Sequence, residues 1–221
     1  MAKENVRKLR VAAVQMESKN GLIKANLDHA VPFIDEAAGK GAELIVLPEF
    51  MPTGYIFTTA IWDAGEPSKG MTVTWLKEHS KRLGVYLGTS FLEADGEDFF
   101  NTFVLTTPEG KEAGRVRKQT PAAFEAYFTK GDSGSHVIET DFGKVGVGIC
   151  YENMLSYMPY LMYSQSVDII LMPHSAPSPM KSIFTPQKAV DAFNQNLKEL
   201  AVSYAKQLGI PAVMINKSGR W

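Results

Sequence analysis

The chain has one thiol in 221 residues, Cys150, and it closes the run KVGVGIC that begins at Lys144. A thiolate attacks carbonyl and nitrile carbons, but free cysteine is also among the most buried residue types. Position alone therefore leaves two readings: a packed core thiol, or a nucleophile presented where a strand gives way to a loop. Two residues of complementary chemistry occupy the same kind of position. Glu49 follows the apolar run ELIVLP at residues 43–48, where burial raises a carboxyl pKa toward that of a useful general base. Lys118 follows EAGRVR at residues 112–117, where a lysine turned inward is a fixed cation beside a developing oxyanion. Taken singly, Glu49 also reads as a solvated strand end, and Lys118 as a basic edge that discourages strand pairing. If the three strand ends converge, base, cation and thiol meet as an acyl-transfer site.

Other residues carry weaker signals. Glu125 ends PAAFE at residues 121–125, either in an exposed helical turn or in the site, and His174 follows an apolar strand, to reach the site or to hold structure. The glycines around Ser133 do not make a G-x-S-x-G elbow, and no phosphate-binding loop occurs. Gly143, Gly146 and Gly148 have the wrong spacing for a dinucleotide fingerprint. The four histidines, 29, 79, 136 and 174, show no paired metal-ligand spacing.

The elements that must position these residues follow from periodicity. Short apolar or alternating runs predict strands at 9–16, 43–48, 85–91, 99–107, 112–117, 136–140, 144–149, 167–172 and 210–215. Helical spacing predicts helices from Ile23 to Gly39, at 72–83, at 153–164 and at 187–208, with Pro32 expected to kink the first or mark its start. Turn signals at Pro108-Glu109-Gly110 and Asp141-Phe142-Gly143 predict two hairpins. Residues 50–70 and 177–186 read as long loops, with Tyr55, Phe57 and Trp62 shaping a pocket. Crossovers mixed with hairpins call for mixed sheets with helices packed outside, in a single domain over residues 1–221.

Composition bounds the partners. With 45% hydrophobic and 21% charged residues the chain reads as globular, and a net charge of −1 gives no global reason to expect nucleic acid or an anionic membrane. No apolar run approaches the roughly 20 residues of a membrane helix, and the short run 11–14 is no signal-peptide core. A lone cysteine excludes an intrachain disulfide framework and a cysteine-rich zinc site, and favours a reducing, cytoplasmic setting.

Three blocks in order, AELIVLPEF at 42–50 with Thr53-Gly54-Tyr55, GRVRK at 114–118, and GVGICYE at 146–152, resemble the signatures of the nitrilase superfamily of carbon-nitrogen hydrolases. The resemblance implies Cys150 as nucleophile, Glu49 as general base and Lys118 as stabiliser of the tetrahedral intermediate. It further implies Glu125 as a second glutamate holding lysine and substrate, Tyr55 and Tyr151 as pocket residues, and the Tyr151 amide in the oxyanion hole. The implied fold is an α/β four-layer α-β-β-α sandwich of two mixed sheets, assembled as a homodimer or larger oligomer, with no cofactor and no metal. Family members continue past residues 216–219 with further strands, so the C-terminal part is expected to be missing or shortened, leaving an unpaired strand edge. Tyr151-Glu152 departs from the Trp-Glu pair common in true nitrilases, which tilts the expected substrate toward a small amide or carbamoyl amide. A nitrile substrate, a thiol-dependent acyltransferase and a non-catalytic scaffold are the rivals.

Overall fold

Strand alternation in this chain divides apolar side chains between two faces, so every sheet needs a partner layer on each side. The computed structural model, which describes residues 8–56, 58–176 and 187–219, supplies them. One sheet contains β1 (Val11–Ala13), β2 (Leu44–Val46), β3 (Glu66–Pro67), β4 (Tyr86–Asp95), β5 (Asp98–Thr106) and β6 (Glu112–Arg117), in the order β1-β2-β4-β5-β6 with β3 beside β4. The other contains β7 (Val137–Thr140), β8 (Gly143–Val147), β9 (Ile169–Pro173) and β10 (Ala212–Ile215), in the order β10-β9-β8-β7. In each, three parallel strands (β1, β2, β4 and β10, β9, β8) continue into antiparallel hairpin strands.

The helices are α1 (Ile23–Gly39), α2 (Met71–Leu83), α3 (Tyr157–Ser164) and α4 (Gln187–Leu208). Three apolar clusters mark three layer interfaces. Ile45, Leu87 and Val104 meet Leu27 and Ile34 of α1 and Leu76 of α2. Leu44, Val46, Phe103 and Leu105 meet Val145, Val147, Ile169 and Leu171 across the two sheets. Ile170 and Met172 meet Met158 and Met162 of α3 and Tyr204 of α4. This is the α-β-β-α sandwich, and each buried aliphatic side chain in it contributes roughly 1.5–3 kcal/mol. Gly146 lets α3 lie close on β8: an added Cβ would stand 2.6 Å from Met162 Sδ.

Several boundaries differ from the sequence expectation. β4 runs on to Asp95 because Glu93, polar in sequence, is buried against Arg115 and Arg117, and Gly96 (φ 63°) closes the hairpin into β5. The helix expected at 153–164 is a 3-10 turn, Cys150–Met154, followed by α3 from Tyr157. Pro159 has no N–H to donate and fits only a first helical turn, which sets where α3 starts. Pro32 lies within α1 on its exposed side, where water can satisfy the carbonyl it leaves unbonded. Phe57 and the proline-rich segment 177–186 lie outside the described residues. Among the described residues no helix is long and apolar enough to cross a membrane.

Candidate active site

Three strand ends deliver the three residues. The N–H of Glu49, just past β2, donates to the carbonyl of His174 just past β9 (3.3 Å), tying the two sheets together. Lys118 continues β6 by one residue, its N–H donating to the Asn101 carbonyl of β5 at 2.8 Å. Past β8, Cys150 takes a left-handed backbone conformation (φ 53°) that non-glycine residues rarely adopt. Such strain costs of order 1–3 kcal/mol and persists only where neighbours over-determine it.

Two side chains supply that restraint. Glu152 is fully buried; its Oε2 accepts from the Ile149 N–H (2.9 Å), and its Oε1 from the Gln119 N–H (2.6 Å) and from His136 Nε2 (3.2 Å). It thereby joins the turn at Cys150 to the loop after Lys118. Asn153 Nδ2 donates to the carbonyls of Gly148 (2.7 Å) and Cys150 (3.2 Å). Gly148 is required here, since an added Cβ would stand 2.1 Å from Asn153 Oδ1. Because Cys150 opens a helical turn, the first main-chain N–H groups of that turn lack intrahelical acceptors and are available to an oxyanion.

The charged groups form one buried cluster. Lys118 Nζ lies 2.9 Å from Glu49 Oε1 and 2.6 Å from Glu125 Oε2. Asn101 spreads its amide between the carboxylates, 2.8 Å to Glu49 Oε1 and 2.7 Å to Glu125 Oε1. Glu49 Oε2 accepts from the Ser175 N–H (2.8 Å), and the Cys150 thiol is near enough to act on its pKa. Glu125, at the third position of a 3-10 turn (Ala123–Tyr127), accepts from Lys118, the Tyr55 hydroxyl (3.1 Å) and the Ala122 N–H (3.1 Å) as well as from Asn101.

Burial raises the Glu49 pKa, opposed by Lys118 and assisted by the nearby Glu125 charge. For Lys118 burial disfavours the cation, yet Glu125 and Glu49 outweigh it and raise its pKa, so the ammonium is permanent. Burial and the Glu49 charge push the Cys150 thiol well above the ordinary thiol range, so it rests protonated beside its acceptor. The cluster thus sets a thiol held protonated and a lysine held charged beside the carboxyl group of Glu49.

Cys150 opens into a cavity of about 640 Å³. Glu125, Tyr55, Tyr151 and Ser175 also line it. His174 does not; it is fully buried behind the wall, its ring Nε2 accepting from Asn153 Nδ2 at 3.2 Å. Burial, then the Lys118 charge, lowers its pKa to about 3, so it is neutral and acts on the site by position. Sequence reasoning missed Asn101, Glu152, Asn153 and Ser175 as parts of this arrangement. The available signal was a lone amide inside the apolar strand FFNTFVL around Asn101. Among the described residues no group of three acidic, histidine or cysteine side chains is placed to hold a metal.

Residues 10–220 match the model of the carbon-nitrogen hydrolase family. A nitrilase of Pyrococcus abyssi is 31% identical over 187 residues, which are 83% of this chain and 71% of that protein. An N-carbamoylputrescine amidase of Arabidopsis thaliana is 30% identical over 161 residues, 68% of this chain, and the match spans only about half, 54%, of that protein. The crystal structure of a carbon-nitrogen hydrolase from Helicobacter pylori superposes with a TM-score of 0.86 at 21% identity, over 96% of this chain and 74% of that one.

Proposed function

The chain belongs to the carbon-nitrogen hydrolase family, and from that premise we propose that it hydrolyses the carbon-nitrogen bond of a small amide or carbamoyl amide through a thioester on Cys150. The observation that carries this reading is the meeting of Glu49, Lys118 and Cys150, from three strand ends, beneath a cavity that Cys150 lines.

In the proposed reaction Glu49 accepts the thiol proton as Cys150 Sγ attacks the amide carbon. The oxyanion that forms is met by the Lys118 ammonium and by the N–H of Tyr151 in the turn at Cys150. Glu49 then passes its proton to the leaving nitrogen, the C–N bond breaks, and ammonia or an amine departs. Water, deprotonated by the same carboxylate, adds to the thioester, and the collapsing intermediate expels the thiolate, which regains the proton. No net proton or electron is consumed beyond one water. Lys118 is suited to this task because its two carboxylate partners keep it charged even when buried.

The name of the Pyrococcus abyssi relative favours a second reading, a nitrile as the group attacked. The same thiol and base would serve, with the nitrile nitrogen taking the place of the carbonyl oxygen. A panel of simple amides, carbamoyl compounds and nitriles, assayed for ammonia, separates the two. Turnover of amides or carbamoyl compounds ahead of nitriles is expected. Cys150→Ala should lower the rate by at least about three orders of magnitude, as for other members of a catalytic unit; turnover undiminished in that variant contradicts the mechanism.

A further inference from the structure

The cavity above Cys150 differs in character from the cluster beneath it. Of the described residues lining it, Glu125 is the only one with a charged side chain. That charge is already answered: four donors, from Lys118, Tyr55, Ala122 and Asn101, surround its two oxygens, which is as many as a carboxylate ordinarily accepts. Lys118 is not a lining residue: it is buried beneath the cavity, held between two carboxylates. Among the described residues of the lining no cation is left for an acidic substrate, and no carboxylate is left for a basic one. The buried cluster as a whole, one lysine and two glutamates, carries a formal charge of −1, which repels a second anion brought next to it.

Apart from Ser175 and the tyrosine hydroxyls, the rest of the described lining is apolar and reaches the surface. Tyr55 is buried, Phe193 of α4 is half-buried, and Tyr151, Met154 and Phe124 are exposed by 38%, 50% and 64%. Large exposed apolar side chains grouped around the opening of a cavity mark surface meant to be covered by a ligand. The thiol at the inner end says which ligand: the group attached to the carbon that Cys150 attacks.

We propose that this site selects amides whose acyl arm is uncharged and apolar, long enough to run from Cys150 past Phe193 to the Phe124 and Met154 rim, and that it rejects arms ending in a carboxylate. This rests on the hydrolytic reading above and names its substrate class. Each methylene of the arm that the lining takes out of water should strengthen binding about fourfold. A carboxylate that ends the arm short of the exposed rim, taken out of water with no cation among the described lining residues to meet it, should weaken binding by about a hundredfold or more.

The test uses four primary amides of similar length: hexanamide, 3-phenylpropanamide, glutaramate and 5-aminopentanamide. Calorimetry on the Cys150→Ala protein gives dissociation constants, and ammonia release from the native chain gives kcat/KM. The expected order is phenylpropanamide and hexanamide first, the ammonium amide weaker, and glutaramate last by about a hundredfold in both readouts. Phe193→Arg should narrow the gap by raising kcat/KM for glutaramate. Glutaramate or the ammonium amide bound as well as hexanamide overturns the proposal, as does failure of every arm to bind. If the binding order holds but no ammonia is released from any amide, the hydrolytic reading fails while the assignment of the cavity to an apolar arm stands.

Discussion

Glu49 accepts from Asn101, Lys118 and Ser175, and the amide of Asn101 is, like Lys118, shared with Glu125. A hydrogen bond to a charged group contributes about 1.5–3 kcal/mol, so Asn101 supports the charged form of Glu49. It touches neither thiol nor cavity, which makes it a positioning residue. Asn101→Leu should raise the Glu49 pKa further. In the proposed mechanism only the carboxylate form accepts the thiol proton, so activity is lost as pH falls through the Glu49 pKa. The acid limb of the kcat/KM profile should therefore move upward by about one to two pH units, the equivalent of that energy. An acid limb that stays in place while kcat falls would assign Asn101 a purely structural role.

The turn from Cys150 to Met154 is the element on which the site depends, and Gly148 is its tightest point. Gly148→Ala would drive a methyl into Asn153, releasing the carbonyls of Gly148 and Cys150 that Asn153 holds. A loss of about 1–3 kcal/mol is expected from such overpacking, read as a lower midpoint in urea denaturation. Gly39→Ala, at the end of α1 with open space around it, is the control and should shift stability by no more than about 1 kcal/mol, in the stabilising direction. Strands were legible in the sequence where short apolar runs stand between polar residues, as at Leu44–Val46 and Ile169–Pro173. Their ends were legible with them, and so were Glu49, Lys118 and Cys150 as candidates. What the chain order did not reveal was convergence: Asn101 and Ser175 meet Glu49 through sheet packing across 52 and 126 residues. Glu93 hid the last residues of β4, since nothing local announces that Arg115 and Arg117 will pair with it. The 3-10 turn was hidden too, because the pattern of residues 153–164 is helical while the strain at Cys150 is imposed from outside it.

At the level of the whole molecule the site is a seam. The bond from the Glu49 N–H to the His174 carbonyl links one sheet to the other, and the His174 N–H is itself held by the Ile215 carbonyl of β10. Cooperative packing of both sheets is therefore needed to hold base and thiol together, and stability should follow the buried groups at the seam. An unfolded histidine takes up its proton near pH 6.5, while folded His174 does so only near 3. The stability this contributes is present above about pH 6.5 and lost as pH falls toward 3, at up to about 1.4 kcal/mol per pH unit. Below about 4.5 Glu93 adds to the loss. Burial opposes its charge, but Arg117, Ser68, Thr102 and Arg115 outweigh it and lower its pKa to about 2, so protons bind the unfolded chain first. Urea midpoints should thus decline from pH 6.5 to 4.5 in the native chain. In His174→Gln the decline over that interval should flatten, whatever the absolute stability of the variant; an unchanged slope would remove His174 from the explanation.

Intact-mass spectrometry during turnover of 3-phenylpropanamide, quenched in acid, tests the central claim most directly. The account predicts a transient mass increase equal to the acyl group, located on the peptide that contains Cys150 and absent from Cys150→Ala. Steady release of ammonia with no acyl adduct on that peptide, or an adduct that persists in the Cys150→Ala protein, would contradict it.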